Sequence, residues 1–212
     1  MLGSPAVARA AVRHLVAADP ALALVMERVG PCQLEPRPVR SPYESLGRAV
    51  VHQQLSGKAA AAILARVQAL STPAGFPLPV EMLAAPEPVL RWAGLSRAKV
   101  LSLKDLAARV LDGTVPGPSE LRDLGDEQIV ERFTAVRGIG RWTVEMLMIF
   151  GLGRPDVLPA TDLGIRKGFA LTFRTRRLPA PARVLAHGAR WRPYRSVASW
   201  YLWRALELPS SL

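Results

Sequence analysis

Punctuation is the strongest constraint on how this chain folds. Apolar residues recur at helical spacing along most of its 212 residues, and proline or glycine soon interrupts each run. The stretch PAVARAAVRHLVAADPALALVMERVG (5–30) reads as two short helices broken near Asp19-Pro20. GPCQLEPRPVRSP (30–42) is a Pro-rich connector. In YESLGRAVVHQQLSGKAAAAILARVQAL (43–70), one stripe holds Leu46, Val50 and Val51, and a second holds Ala60, Ile63, Leu64 and Val67. Ser56-Gly57 divides the two. After a loop at 71–79 come short helices around 80–92 and a longer one at 96–111 with Ser96 as its N-cap, then a second loop at 112–118. Further helices are expected at about 126–135, 141–150, 162–173, 181–190 and 194–207. Few segments alternate like strands, and DVLPAT is too short to build a sheet. The expected class is all-α, built of many short helices rather than a long-helix bundle.

Charge narrows the partner. The chain carries 28 basic and 17 acidic residues, a formal net charge of +11, and 24 of the basic residues are arginine. The planar guanidinium fork binds two phosphate oxygens at once, so a polyanion, with nucleic acid first, is the expected partner. An Arg-rich proteome explains part of the Arg-for-Lys bias but less of the net excess. A single cysteine, Cys32, excludes an internal disulfide, a Cys-based zinc knuckle and a four-Cys iron–sulfur cluster. His14, His52 and His187 are scattered without ligand spacing and read as surface or satisfied core histidines. The apolar ALALVM is too short for a bilayer span, and the N-terminus lacks a signal-peptide pattern. A soluble, cytoplasmic monomer is expected, nucleoid-associated if bacterial.

Two motifs carry chemistry. In VRGIGRWTVEM (136–146), Gly138 and Gly140 permit a tight hairpin, and a new helix starts near Arg141. Its first N–H groups and positive dipole end make a phosphate site, flanked by Arg137 and Arg141. A plain helix–helix turn with a C-capping glycine explains the same letters. Downstream, PDVLPATDLGIRKGFAL (155–171) places Asp162 at a helix start, where an N-cap is the ordinary local reading. Asp156 offers a second carboxylate in the preceding loop. No Ser/His/Asp or Cys/His arrangement and no Gly-rich nucleotide loop is present.

Taken in order, PYESLGRAVVHQQLSGKAA, GLSRAKVLSLKDLA, VRGIGRWTVEML, PDVLPATDLGIRKG and WRPYRSVASWYLWR strongly resemble the 3-methyladenine DNA glycosylase II family, the AlkA-like members of the helix-hairpin-helix (HhH-GPD) DNA glycosylases. The likeness runs from about residue 42 to 206. It implies an all-α, two-lobed fold with a cleft between the lobes. The expected division is N-terminal helices and connector (1–42) packing on the second lobe, a lobe carrying the hairpin (43–155, hairpin 126–150), and a catalytic loop with C-terminal helices (156–212). Larger relatives add an N-terminal α/β domain, for which the first ~40 residues are too few and too helical.

The resemblance also assigns roles. Asp162 becomes the catalytic carboxylate. Trp142 and Tyr194 become aromatic walls for a cationic base, with Met146 where a relative can have tyrosine. The DNA grip falls to Gly138, Gly140, Arg137, Arg141, Thr143 and Arg195, with Lys58 and Lys99 as weaker candidates. Gln54, beside Gln53 and Leu55, aligns with the wedge that fills the gap left by a flipped base. The carbonyls of Thr134, Val136 and Ile139 are positioned to hold a monovalent cation, sodium or potassium; no organic cofactor is implied. Bifunctional relatives with lyase activity carry a lysine where this chain has Trp142, so a monofunctional hydrolase is expected. The substrates implied are alkylated bases in duplex DNA: 3-methyladenine, 7-methylguanine and, through a less aromatic pocket, 1-methyladenine and 3-methylcytosine. A non-catalytic DNA-binding module, or another damaged-base specificity on the same scaffold, are the alternatives.

Overall fold

The computed structural model describes residues 2, 4–37, 39, 41–71 and 75–209. Among these residues twelve α-helices and two short 3-10 turns are present and no strand. The all-α expectation holds. Helix breaks fall where the punctuation places them: α1 (Pro5–Ala18) and α2 (Pro20–Val29) part at Asp19, and α3 (Pro42–His52) and α4 (Gly57–Gln68) part around Ser56. Ser56 Oγ accepts from Ala59 N–H, and Ser96 Oγ accepts from Lys99 N–H at the start of the long helix α7 (Arg97–Leu111). Two one-turn helices, α5 (Pro79–Ala84) and α6 (Glu87–Trp92), precede it. Then follow α8 (Asp126–Thr134), α9 (Arg141–Phe150), α10 (Leu163–Thr172), α11 (Pro181–Gly188) and α12 (Arg195–Ala205).

The chain forms two compact units. One comprises Val39–Val144, the other Met1–Pro38 together with Glu145–Leu212. The division passes through α9, so the N-terminal helices share a unit with the C-terminal ones. In the first unit α7 is the central element, packing on α3 and α5 with Val100, Leu103, Leu106 and Ala107 fully enclosed. The stripe Leu46, Val50 and Val51 faces inward, as its spacing predicts. Ala60, Leu64 and Val67 do the same on α4, while Ile63 is half-buried.

The second unit is organised round α12, which packs on α2 and α10. Seven of its eleven residues are buried, Ser196 and Ser199 among them. Ser196 Oγ accepts from Val157 N–H and donates to the Arg154 carbonyl, which satisfies a polar group in an apolar setting. Gly168 of α10 lies so close to α12 that a Cβ there would collide with the Leu202 carbonyl. Asp19, 2% exposed, caps α2 through Leu22 N–H and accepts from the Trp191 indole at 2.9 Å, with His187 Nε2 at 2.7 Å. His187 is therefore a satisfied core histidine. Burying that carboxylate is tolerable because three polar hydrogens surround it. No helix among the described residues is long and apolar enough to cross a membrane.

Candidate functional site

The hairpin forms, and of its two glycines the first is the one the backbone requires. After α8, Gly138 takes φ +76°, a left-handed conformation that costs most residues strain. Its bare Cα faces α7, where an added Cβ would sit 2.5 Å from Ser102 Oγ. The flanking Val136 and Ile139 side chains are buried and pin the turn to the unit. Polar ties complete the seat. Arg137 N–H donates to Asp105 Oδ2 at 2.7 Å, and Gln53 Nε2 donates to the Gly138 carbonyl at 3.0 Å. Gly140 immediately precedes α9, its carbonyl accepting from Thr143 and Val144 N–H. No neighbour lies within 4 Å of its Cβ direction, so this side of the turn is open.

Predicted DNA ligands divide once seen in place. The Arg137 side chain is exposed and forms no ion pair with another described residue. Arg141 is held by both guanidinium nitrogens on Glu127, at 2.7 and 3.1 Å. Thr143 is only 9% exposed, so its side chain packs inside rather than facing a ligand. Arg195 also departs from expectation. Its Nε meets Asp156 Oδ1 at 2.6 Å, its Nη2 reaches the Asp156 carbonyl, and it is 15% exposed. Asp156 takes Arg192 as well. Arg195 thus braces the loop that leads to Asp162, because a half-buried arginine satisfies a nearby carboxylate first. Lys99 donates to the Val51 and Gln53 carbonyls and so caps the end of α3 rather than reaching for phosphate; partial burial lowers its pKa. Lys58 remains exposed.

The residues assigned to the wedge lie on the α3–α4 turn. Gln54 is exposed with φ +57°, and Leu55 beside it is 39% exposed. An apolar side chain left in solvent at a turn tip is available to a partner.

Asp162 N-caps α10: its Oδ1 accepts from Ile165 N–H at 2.8 Å. The same oxygen accepts from Trp203 Nε1 at 2.9 Å. Trp203 in turn stacks on Phe150, ring centroids 5.7 Å apart. Two neutral donors therefore fix a half-buried carboxylate on a rigid helix start. Sequence reasoning missed Trp203, although it lies in the quoted WRPYRSVASWYLWR segment. It missed Asp105 and Ser102 as well, which no local pattern marks. Tyr194 stands at the start of α12, its ring edge-on to His14 at 5.6 Å. Trp142, in the first turn of α9, is 48% exposed and is not a core residue; Met146, one turn on, is half-buried. Trp142, the hairpin and the Gln53–Leu55 turn belong to one unit, and Asp162, Tyr194, Met146, Trp203 and Arg195 to the other.

For the cation assignment, the Val136 carbonyl already accepts from Ile139 N–H, whereas those of Thr134 and Ile139 accept from no described residue. A set of hard carbonyl oxygens suits an alkali-metal ion. No group of three or more His, Cys, Asp or Glu side chains among the described residues is placed to hold a metal.

Comparison with known proteins adds independent information. Residues 48–193 match the family model described as HhH-GPD superfamily base excision DNA repair protein. The DNA-3-methyladenine glycosylase 1 of Schizosaccharomyces pombe is 44% identical across 80% of this chain and 74% of its own. A solved structure of 3-methyladenine DNA glycosylase from that yeast, in complex with abasic DNA, superposes with a TM-score of 0.79 at 40% identity, covering 95% of this chain and 98% of the other. A DNA-3-methyladenine glycosidase from Bacillus halodurans gives 0.83 at 35% identity, covering 95% and 89%.

Proposed function

The chain belongs to the HhH-GPD superfamily of base excision DNA repair proteins, and from that premise we propose that it is a monofunctional DNA glycosylase that hydrolyses the N-glycosidic bond of alkylated bases in duplex DNA. The observation that carries the reading is the Asp162 carboxylate, fixed by Ile165 N–H and the Trp203 indole. A base must leave the stack before its glycosidic bond can be reached. The exposed Gln54–Leu55 turn suits the wedge that holds the gap open. Methylation at N3 or N7 of a purine makes the base a cation and a good leaving group, so little general-acid help is needed. Positive charge then develops on the sugar. A carboxylate held in place beforehand stabilises that charge without reorganising, and can orient the attacking water. The half-exposed Trp142 face suits a cationic base at ~0.5–2 kcal/mol. 3-Methyladenine and 7-methylguanine are the primary substrates on this reading, with 1-methyladenine and 3-methylcytosine as the extension a non-aromatic Met146 permits.

The hairpin grips backbone phosphate through the Gly138 and Gly140 amides and Arg137. A monovalent cation held by the Thr134, Val136 and Ile139 carbonyls would add positive charge at the same place. Lyase chemistry needs an amine, and the first turn of α9, Arg141-Trp142-Thr143, has none.

Single-turnover release of bases from methylated duplex DNA tests the proposal, with wild type beside Asp162→Asn. The amide oxygen of asparagine can still accept from Ile165 and Trp203, so the helix cap survives and the charge alone is removed. The expected loss is about 10²–10³-fold, the size of one preorganised electrostatic contact. Undiminished release in the variant refutes Asp162's role. Binding without release by the wild type makes the chain a DNA-recognition module instead. Strand cleavage at the product site above the uncatalysed background refutes monofunctional action.

A further inference from the structure

A second basic feature belongs to the unit that carries Asp162. Between Asp162 and Glu207 the chain carries ten basic side chains and no acidic one. Four of them, Arg174, Arg176, Arg177 and Arg183, line one surface concavity of about 690 Å³ with Phe173 and Thr175. All four are exposed, and none forms an ion pair with another described residue. This contrasts with Arg141, Arg192 and Arg195, each bound to a carboxylate. Like charges gathered without a counter-charge repel one another, and a cleft of one sign concentrates counter-ions of the other.

The loop is also held in shape. Thr175 N–H donates to the Ala170 carbonyl, Thr175 Oγ1 donates to the Arg177 carbonyl, and Arg166 Nε donates to the Pro179 carbonyl. The arginines therefore project from a fixed frame. The dipole at the end of α10 favours a cation at Arg174, two residues past the helix end, but its influence has faded at Arg176, Arg177 and Arg183. Arg174 itself has φ +50°, in a position where glycine is the usual choice.

We propose that the Arg174–Arg183 concavity is a second phosphodiester-binding surface, which engages DNA backbone independently of the hairpin. Arginine rather than lysine lines it, and the guanidinium fork matches the two non-bridging oxygens of a phosphodiester. The inference rests on the reading of the chain as a DNA enzyme, and it assigns non-specific affinity, not base choice, to this surface.

The test is the salt dependence of binding to an undamaged 30-base-pair duplex (~30, long enough for several phosphate contacts). Three proteins are compared: wild type, Arg176→Gln/Arg177→Gln/Arg183→Gln, and a control with the same charge loss on α1 and α6, Arg9→Gln/Arg13→Gln/Arg91→Gln. Each phosphate contact contributes about 0.9 to the slope of log K against log[salt], so the first variant loses roughly 2–3 from the slope and the control well under 1. Equal losses in both variants, or an unchanged slope in the first, overturn the proposal while leaving wild-type DNA binding and base release in place. A wild-type chain with no affinity for DNA overturns both readings together. Inorganic tripolyphosphate, titrated by calorimetry, separates the sources of phosphate. If it binds wild type and not the first variant while the DNA slope is unchanged, the surface serves free polyphosphate and the DNA assignment fails.

Discussion

Replacing Gly138 with alanine tests how the hairpin is seated. Two costs add. The residue is held at φ +76°, where an L-side chain costs about 1–2 kcal/mol. The new methyl also meets Ser102 Oγ at 2.5 Å, an overlap relieved when the hydroxyl gives up its bond to the Ala98 carbonyl and turns away, at about 1–2 kcal/mol. The expected destabilisation is thus ~2–4 kcal/mol. For a chain of this size that lowers Tm by roughly 5–15 °C. Ser102→Ala separates the terms. It removes the hydroxyl, which donates only to the Ala98 carbonyl within its own helix, and leaves Cβ 3.4 Å from the new methyl. Alone it changes stability by less than about 1 kcal/mol. In the double variant the steric term disappears and the backbone term stays, so a thermal-unfolding cycle returns a coupling of about 1–2 kcal/mol. DNA affinity follows the same order, since the Gly138 carbonyl and Arg137 N–H fix the turn against Gln53 and Asp105. Strict additivity of the two changes refutes the argument, because it removes Ser102 as the surface on which the hairpin rests.

Trp203→Phe keeps the stack on Phe150 and removes the N–H that Asp162 Oδ1 accepts. Single-turnover base release falls about 10-fold or more while duplex affinity is unchanged, as expected for a lost hydrogen bond to a charged group. Asp19→Ala strips His187, Trp191 and Leu22 of their common acceptor and costs about 3–5 kcal/mol in an unfolding titration. Arg137→Gln lowers the salt slope of DNA binding by about 0.9, whereas Lys99→Met lowers stability by ~1–2 kcal/mol and leaves that slope alone, because Lys99 serves carbonyls.

Local chemistry was legible in the sequence and long-range partnership was not. Asp19-Pro20, Ser56-Gly57, Ser96 and Asp162 each end or cap a helix through atoms within three residues, so their letters suffice. The Gly-Ile-Gly break likewise declares a tight turn by itself. By contrast, Asp19 meets His187 across 168 positions, Gln53 meets Gly138 across 85, and Trp203 meets Asp162 across 41. Periodicity says which face of a helix is buried; it does not say which polar group waits there. Arg195 shows the consequence. Inside a basic motif it reads as a phosphate ligand, but Asp156, 39 positions earlier, occupies it. α12 hid its own role for a related reason. Enclosed on most sides, it has no polar stripe to contrast with an apolar one.

The distribution of charge then changes what the net +11 means. The unit that holds the hairpin has 13 basic and 10 acidic residues, a net of +3, while the other has 15 and 7, a net of +8. A hairpin needs few cations, because backbone amides and a helix dipole supply its positive potential, and its arginine at 141 is already matched by Glu127. Electrostatic attraction for a polyanion therefore resides mainly on the unit that carries Asp162. That unit also holds the Arg174–Arg183 concavity, and on the proposal above its affinity for phosphate is independent of the hairpin's. If that is so, abolishing the hairpin's grip with Gly138→Ala and Arg137→Gln weakens binding to damaged duplex but leaves more than half of the salt slope standing. A slope that collapses with the hairpin alone places the whole electrostatic grip there, and leaves the excess of +8 without a role in binding.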